Sequence, residues 1–240
     1  MLKFTENKEQ AISNSKPILK PFDIYEVTFD GISSKEFTGT KDPSVKYHVM
    51  EVKFSNENGT FTHNIFMLKD GDEVRKTSSA GYEMASNFEV FKIFVKQLAS
   101  VLVGEDKYNA YFEKVRNANV DLSDPKGFNA FVDGYAKILK PAEGKKTHLK
   151  LMGRLDSKTG RYMATLPIFA NINRDGDLYP SNFVGENLFF TSSEKTKVDN
   201  YLKMTPTKME PVTGKVDDLI TNNDDLASLN NISVDLDLDL

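Results

Sequence analysis

Lys146-Thr147-His148-Leu149-Lys150-Leu151-Met152-Gly153-Arg154-Leu155 alternates apolar and polar residues almost one by one. This two-residue period belongs to a β-strand with one face against a core. It predicts Leu149, Leu151 and Leu155 inward, and Lys146, His148, Lys150, Met152 and Arg154 on the other face. Asp156-Ser157-Lys158-Thr159-Gly160 reads as a turn, and Arg161 to Ala170 as the partner strand. The position of this hairpin decides the fold, because it follows a long helical stretch that itself follows a β-meander.

In the meander, Ile24 to Phe29 places Tyr25, Val27 and Phe29 on one face. A loop rich in Ser, Gly and Lys is expected from Gly31 to Ser44. Lys46 to Phe54 then has Met50, Val52 and Phe54 on one face and Tyr47, Val49, Glu51 and Lys53 on the other. Asn58-Gly59 is a hairpin signal, and Thr60 to Leu68 is the return strand.

The helical block covers about residues 82–140. Ser86-Asn87-Phe88-Glu89 is a capping box. Phe88, Phe91, Phe94, Val95, Leu98 and Leu102 follow at helical spacing, and Gly104 ends the run. A second helix is expected near Lys107 to Val115. A third opens at Asp124-Pro125, carries Phe128, Phe131, Val132, Tyr135 and Ile138, and stops at Pro141. The aromatic stripes are read as core.

Three strands, a helical insertion and a two-stranded hairpin give a mainly β, α+β chain. This is the strand count and broken connection of an OB-fold, a five-stranded Greek-key barrel, with a large helical block between strands three and four. The domain is expected over residues 21–205, after an N-terminal arm at 1–20 and before a linker and tail at 206–240.

The charge is divided unevenly along the 240 residues. The total is −4, yet after Lys215 there is no Lys or Arg while Asp217, Asp218, Asp224, Asp225, Asp235, Asp237 and Asp239 follow. Residues 216–240 thus carry −7, and the remaining 31 basic against 28 acidic residues leave +3 on 1–215. No aromatic lies beyond Tyr201. A segment of this composition is expected to be disordered. Its ending, Ser233 to Leu240, alternates acid and leucine, which suits a peptide that presents apolar side chains to a partner. A plain solubilising tail would not need the leucines and isoleucines.

The chain has no Cys and no Trp. A disulfide framework, a thiolate metal site and a cysteine nucleophile are therefore excluded. With only His48, His63 and His148, a histidine metal site has few residues to draw on. Asn173 to Asp177 resembles a fragment of a calcium loop but lacks the distal glutamate, so a tight turn is expected. Scattered carboxylates such as Glu26, Glu51 and Asp156 form no acid/base pair by spacing. The chain is read as a non-enzyme without cofactor or metal. No secretory signal or membrane span is visible, which points to the cytoplasm.

Binding of single-stranded nucleic acid needs a track of Lys and Arg with rings on which bases stack. The candidates are Lys46, Tyr47 and Lys53 on the meander, and Lys150, Arg154, Lys158, Arg161 and Tyr162 on the hairpin. A charged outer face is also the ordinary fate of a half-exposed strand. The stretches Lys35 to Lys46 and Asp156 to Arg161 fall where an OB-fold has its grasping loops.

In its basic, Cys-free β-domain and acidic tail the chain resembles the single-stranded DNA-binding proteins of bacteria and tailed phages. That resemblance implies protection of single strands in replication, recombination and repair, possible self-association, and a location in the host cytoplasm if phage-encoded. It also implies a tail that recruits replication or recombination proteins through Asp235, Asp237, Asp239 and Leu240, and that competes with DNA for the basic groove. Family tails commonly end in phenylalanine, whereas this one ends in leucine. A 25-residue tail (216–240) spans up to roughly 80 Å, enough to reach its own groove. A reading from another class is a viral structural or assembly protein that uses the tail as a docking peptide.

Overall fold

The computed structural model describes residues 17–39, 42–79, 81–168, 170–172, 178–180 and 182–204. The acidic tail, with Asp235, Asp237, Asp239 and Leu240, lies outside the described residues, as do most of the N-terminal arm and Asn173 to Asp177.

The sheet is organised by one long strand, β1 (Asp23–Thr38). Its first part, Asp23 to Thr28, pairs with β6 (Lys146–Leu155), and its second part, to Thr38, pairs with β2 (Lys46–Asn56). The loop expected from Gly31 is therefore strand as far as Thr38. Gly31 does not end pairing: at φ +128° it forms a bulge where the register slips between Phe29 and Gly31. β3 (Gly59–Phe66) returns along β2, and β7 (Tyr162–Thr165) along β6. The order is β3-β2-β1-β6-β7, all antiparallel.

The sheet is not closed into a barrel: among the described residues no ladder joins β3 to β7. Two local features leave it open. The edge of β3 is taken at Thr60 by the chain at Pro17–Leu19, through Thr60 N to Pro17 O and Leu19 N to Thr60 O, both 2.8 Å. β7 is four residues long rather than the ten expected from Arg161 to Ala170, and Pro167, just beyond its end, has no N–H to extend a ladder.

Two short hairpins, β4 (Lys76–Thr77) with β5 (Glu83–Met84) and β8 (Ala170–Ile172) with β9 (Leu178–Pro180), lie outside the main sheet. The helical block is α1 (Asn87–Val103), α2 (Glu105–Asn117) and α3 (Pro125–Leu139). Both expected N-caps form. Glu89 N donates to Ser86 Oγ and Ser86 N to the Glu89 carboxylate, while Gly127 N donates to Asp124 Oδ2. Phe91, Phe94, Val95, Leu98, Phe128, Phe131, Val132 and Tyr135 pack against Val27, Phe29, Met50, Val52, Phe54, Leu149 and Leu151. The Tyr135 hydroxyl donates to Val95 O at 2.6 Å, so its polar end is satisfied inside the core. Phe88 and Ile138 are only half-buried, and Leu139 takes the inward position.

A fourth helix, α4 (Ser192–Met204), has no counterpart among the expected elements. Its start carries the signal used for α1: Glu194 N donates to Thr191 Oγ1 and Thr191 N to Glu194 Oε2. α4 lies on the face of β6 opposite the core. There Phe22, Met152 and Tyr201 are buried, with Tyr162, Phe190 and Val198 against them. Gly153 makes room for this cluster, since a Cβ there would lie 2.2 Å from the Phe22 ring. Met152 is therefore buried rather than on an open charged face, and Leu155, at the strand end, is 52% exposed rather than inward. No helix of the described residues is long and apolar enough to cross a membrane.

His63 packs against the core from β3, with ring centroids 6.4 Å from Phe61 and 5.2 Å from Phe94. Burial pushes its pKa down from the ordinary 6.5 to about 4. Between those values the unfolded chain binds a proton that the folded chain does not. Its contribution is therefore full above pH 6.5 and is lost as pH falls toward 4. We expect wild type to lose roughly 2–3 kcal/mol more than His63→Phe between pH 7 and 4.5. Urea unfolding at the two pH values checks this; parallel losses would refute it.

Candidate nucleic-acid interface

Residues directly opposite in a ladder share a sheet face. On β1 and β2, Phe37 lies opposite Tyr47, Lys35 opposite Val49, Ser33 opposite Glu51 and Gly31 opposite Lys53. On β2 and β3, Val49 lies opposite Phe66 and Glu51 opposite Asn64. These residues form the face turned away from Met50, Val52 and Phe54. Phe37, Tyr47 and Phe66 thus make a row of half-buried rings over three adjacent strands, with Tyr47 and Phe66 edge-to-face at 6.2 Å. Val49 is fully buried between Lys35 and Phe66 on this face.

Beside the rings stands a charged group. Glu51, whose side chain is 2% exposed, takes Lys35 Nζ on one carboxylate oxygen at 2.7 Å and Lys53 Nζ on the other at 2.8 Å. Burial alone would raise the Glu51 pKa, but the two ammonium hydrogen bonds outweigh it and hold the carboxyl below its usual range. The lysine side chains remain 39% and 48% exposed, so the group presents two ammoniums above one sunken carboxylate.

The expected site is split. Tyr47 and Lys53 do share a face, but Lys46 alternates to the other side, where its ammonium pairs with Glu36 at 2.7 Å. Next to it Asn129 Nδ2 donates to His48 Nδ1 at 3.3 Å, and Asn129 Oδ1 accepts from Ser34. On the hairpin, Lys150 is not a surface residue. It is 3% exposed and donates to both Glu194 oxygens at 3.0 Å and to Phe189 O at 3.2 Å. The period-two pattern could not reveal this because α4, which covers that face, was not expected. Tyr162 is likewise engaged, with its ring 5.3 Å from both Phe22 and Tyr201. Arg154, Lys158 and Arg161 are exposed. Among the described residues Arg154 and Arg161 form no ion pair. Asp156 shapes the turn between them, accepting from Thr159 Oγ1 at 2.6 Å and from Lys158 N at 3.0 Å. The Thr159 hydroxyl, foremost, holds the Asp156 carboxyl below its usual range.

The structure thus presents two separate groups: Tyr47 and Lys53 with Lys35, Phe37 and Phe66 on the sheet face, and Arg154, Lys158 and Arg161 at the hairpin tip. They lie toward opposite ends of β1, since Thr38 pairs with Lys46 while Asp23 pairs with Leu151, beyond which β6 runs on to the tip. Phe66, Phe37 and Lys35 were missed as site residues. Phe66 meets Val49 only when the hairpin is counted from Asn56 opposite Gly59 rather than from a turn at Asn58-Gly59; Phe37 and Lys35 lie in the stretch read as a loop from Gly31 to Ser44. A cleft of about 220 Å³ elsewhere is lined by Lys69, Asp70, Asp72, Glu73 and Asp121 around Leu68 and Phe88, and its four acids against one lysine suit no phosphate. Among the described residues no three His, Asp or Glu are placed to hold a metal ion. No family model, curated protein or solved structure matches the chain.

Proposed function

We propose that this chain is a non-enzymatic, sequence-independent binder of single-stranded DNA that recruits replication or recombination proteins through its acidic C-terminal segment. The observation that carries the reading is the ring row Phe37–Tyr47–Phe66 beside the ammoniums of Lys35 and Lys53. Stacked bases need such rings, and a sequence-independent backbone contact needs such charges. Support also comes from the order of the five main strands, which is that of an OB barrel opened between its third and fifth, here β3 and β7. The seven aspartates of 216–240 supply a segment of opposite sign to the rest of the chain.

Fluorescence anisotropy with labelled single-stranded and duplex DNA tests this, comparing the full chain with one ending at Lys215. We expect salt-sensitive preference for single strands, strengthened without the tail. The triple change Arg154→Ala, Lys158→Ala and Arg161→Ala should lower the slope of log affinity against log salt by roughly 2. Equal affinity for duplex would sink the reading.

One observation favours a second reading. Lys35, Lys53, Lys46, Lys146 and Lys150 are all ion-paired to glutamates, leaving less free charge than the sequence suggests. Absence of binding by either chain at low salt would favour a viral structural or assembly protein with the tail as docking peptide.

A further inference from the structure

Resting on the single-strand reading, we propose that Glu51 is a built-in attenuator of the sheet-face site, set beneath two phosphate-binding lysines to keep their grip weak and reversible. The geometry is specific. One carboxylate, sunk beneath the sheet surface, spends each oxygen on a different ammonium, at 2.7 Å for Lys35 and 2.8 Å for Lys53. Ser33 Oγ adds a weaker contact at 3.5 Å. The three charges sum to +1 where two free lysines would give +2. Phosphodiester oxygens approaching from solvent meet ammoniums that are already hydrogen-bonded on their inner side.

A structural role alone would not require this arrangement. Val49, two residues before Glu51 on the same face, is fully buried there with no charge at all. An apolar or neutral residue could fill the place of Glu51 without two lysines to compensate it. The triad lies on the same sheet face as the rings: Lys35 shares the Val49–Phe66 row, and Glu51 stands one row further along β2, two residues from Val49 and four from Tyr47. A charge adjustment there acts on the phosphate next to a stacked base. For a protein that must hold strands and yet release them, weakening the electrostatic contact leaves the ring contacts unchanged.

The test is anisotropy of a labelled 20-nucleotide thymidine strand, from 50 to 300 mM salt, with the full chain and with Glu51→Gln. Glu51→Met serves as a second variant that suits the buried position should the glutamine form fold poorly. Either variant, shown folded by a cooperative melt, should bind about 3- to 10-fold more tightly at low salt, with a log–log slope steeper by about 0.7, one further single-strand phosphate. Unchanged or weaker binding, or tighter binding without the steeper slope, overturns the attenuator. It would assign Glu51 to positioning the lysines instead. Failure of the wild-type chain to bind at all overturns the single-strand reading itself, and the attenuator with it.

Discussion

Lys150→Met should destabilise the folded chain by about 3–5 kcal/mol, the cost of leaving a buried carboxylate without its counter-charge. Glu194 is 7% exposed and receives both of its short ammonium contacts from Lys150. Removal of the lysine also frees the carbonyl of Phe189, which it holds at 3.2 Å. The double variant Lys150→Met, Glu194→Gln should recover most of the loss. The amide there carries no charge and can still accept from Thr191 N, so the cap of α4 survives. Urea unfolding measures both. Under conditions where the single variant remains folded, single-strand affinity should change less than twofold. A large loss of affinity at unchanged stability would place Lys150 at the surface and refute the buried pair.

The largest loss of affinity should come from uncharged residues. Tyr47→Ala and Phe66→Ala each remove a ring on which a base can stack, worth about 1–3 kcal/mol per base. The double variant should therefore weaken single-strand binding by roughly 30-fold or more. Its salt slope should stay that of wild type, because no charge is removed. Affinity titrations at three salt concentrations separate the two quantities. A double variant that binds as wild type would leave the hairpin tip as the only contact and remove the sheet face from the site. Because the rings touch at 6.2 Å, the two single losses need not add.

The helical block was legible because its signals are local. Ser86 with Glu89, Asp124 with Pro125, and the apolar spacing of Phe91, Phe94, Leu98 and Leu102 each act within a turn or two of chain. What depended on pairing was less so. Asn58-Gly59 marks the hairpin, but the turn residues are Glu57 and Asn58, with Asn56 opposite Gly59. One residue of displacement in the turn shifts every cross-strand pair by two, enough to part Phe66 from Val49. Gly31 looked like the end of a strand because a glycine bulge and a glycine turn have the same one-letter signature. Lys150 was misplaced for a tertiary reason. Its fate is set by Glu194, 44 residues further on, in a helix whose Thr191-Ser192-Ser193-Glu194 start was overlooked.

The division of β1 between two partners has a consequence for assembly of the sheet. The β2–β3 ladder closes over two residues, from Asn56 to Gly59, whereas pairing of Thr28 with Lys146 closes a loop of more than a hundred. The difference in closure entropy is roughly 3–4 kcal/mol for a flexible chain. The intervening chain is not all flexible, since α1, α2 and α3 lie within it. Each helical turn formed there before the strands meet contracts the path, from about 3.3 Å to 1.5 Å per residue. The three helices thus do more than fill the core: they draw together the two halves of a sheet, the meander and the hairpin, that sequence order keeps apart.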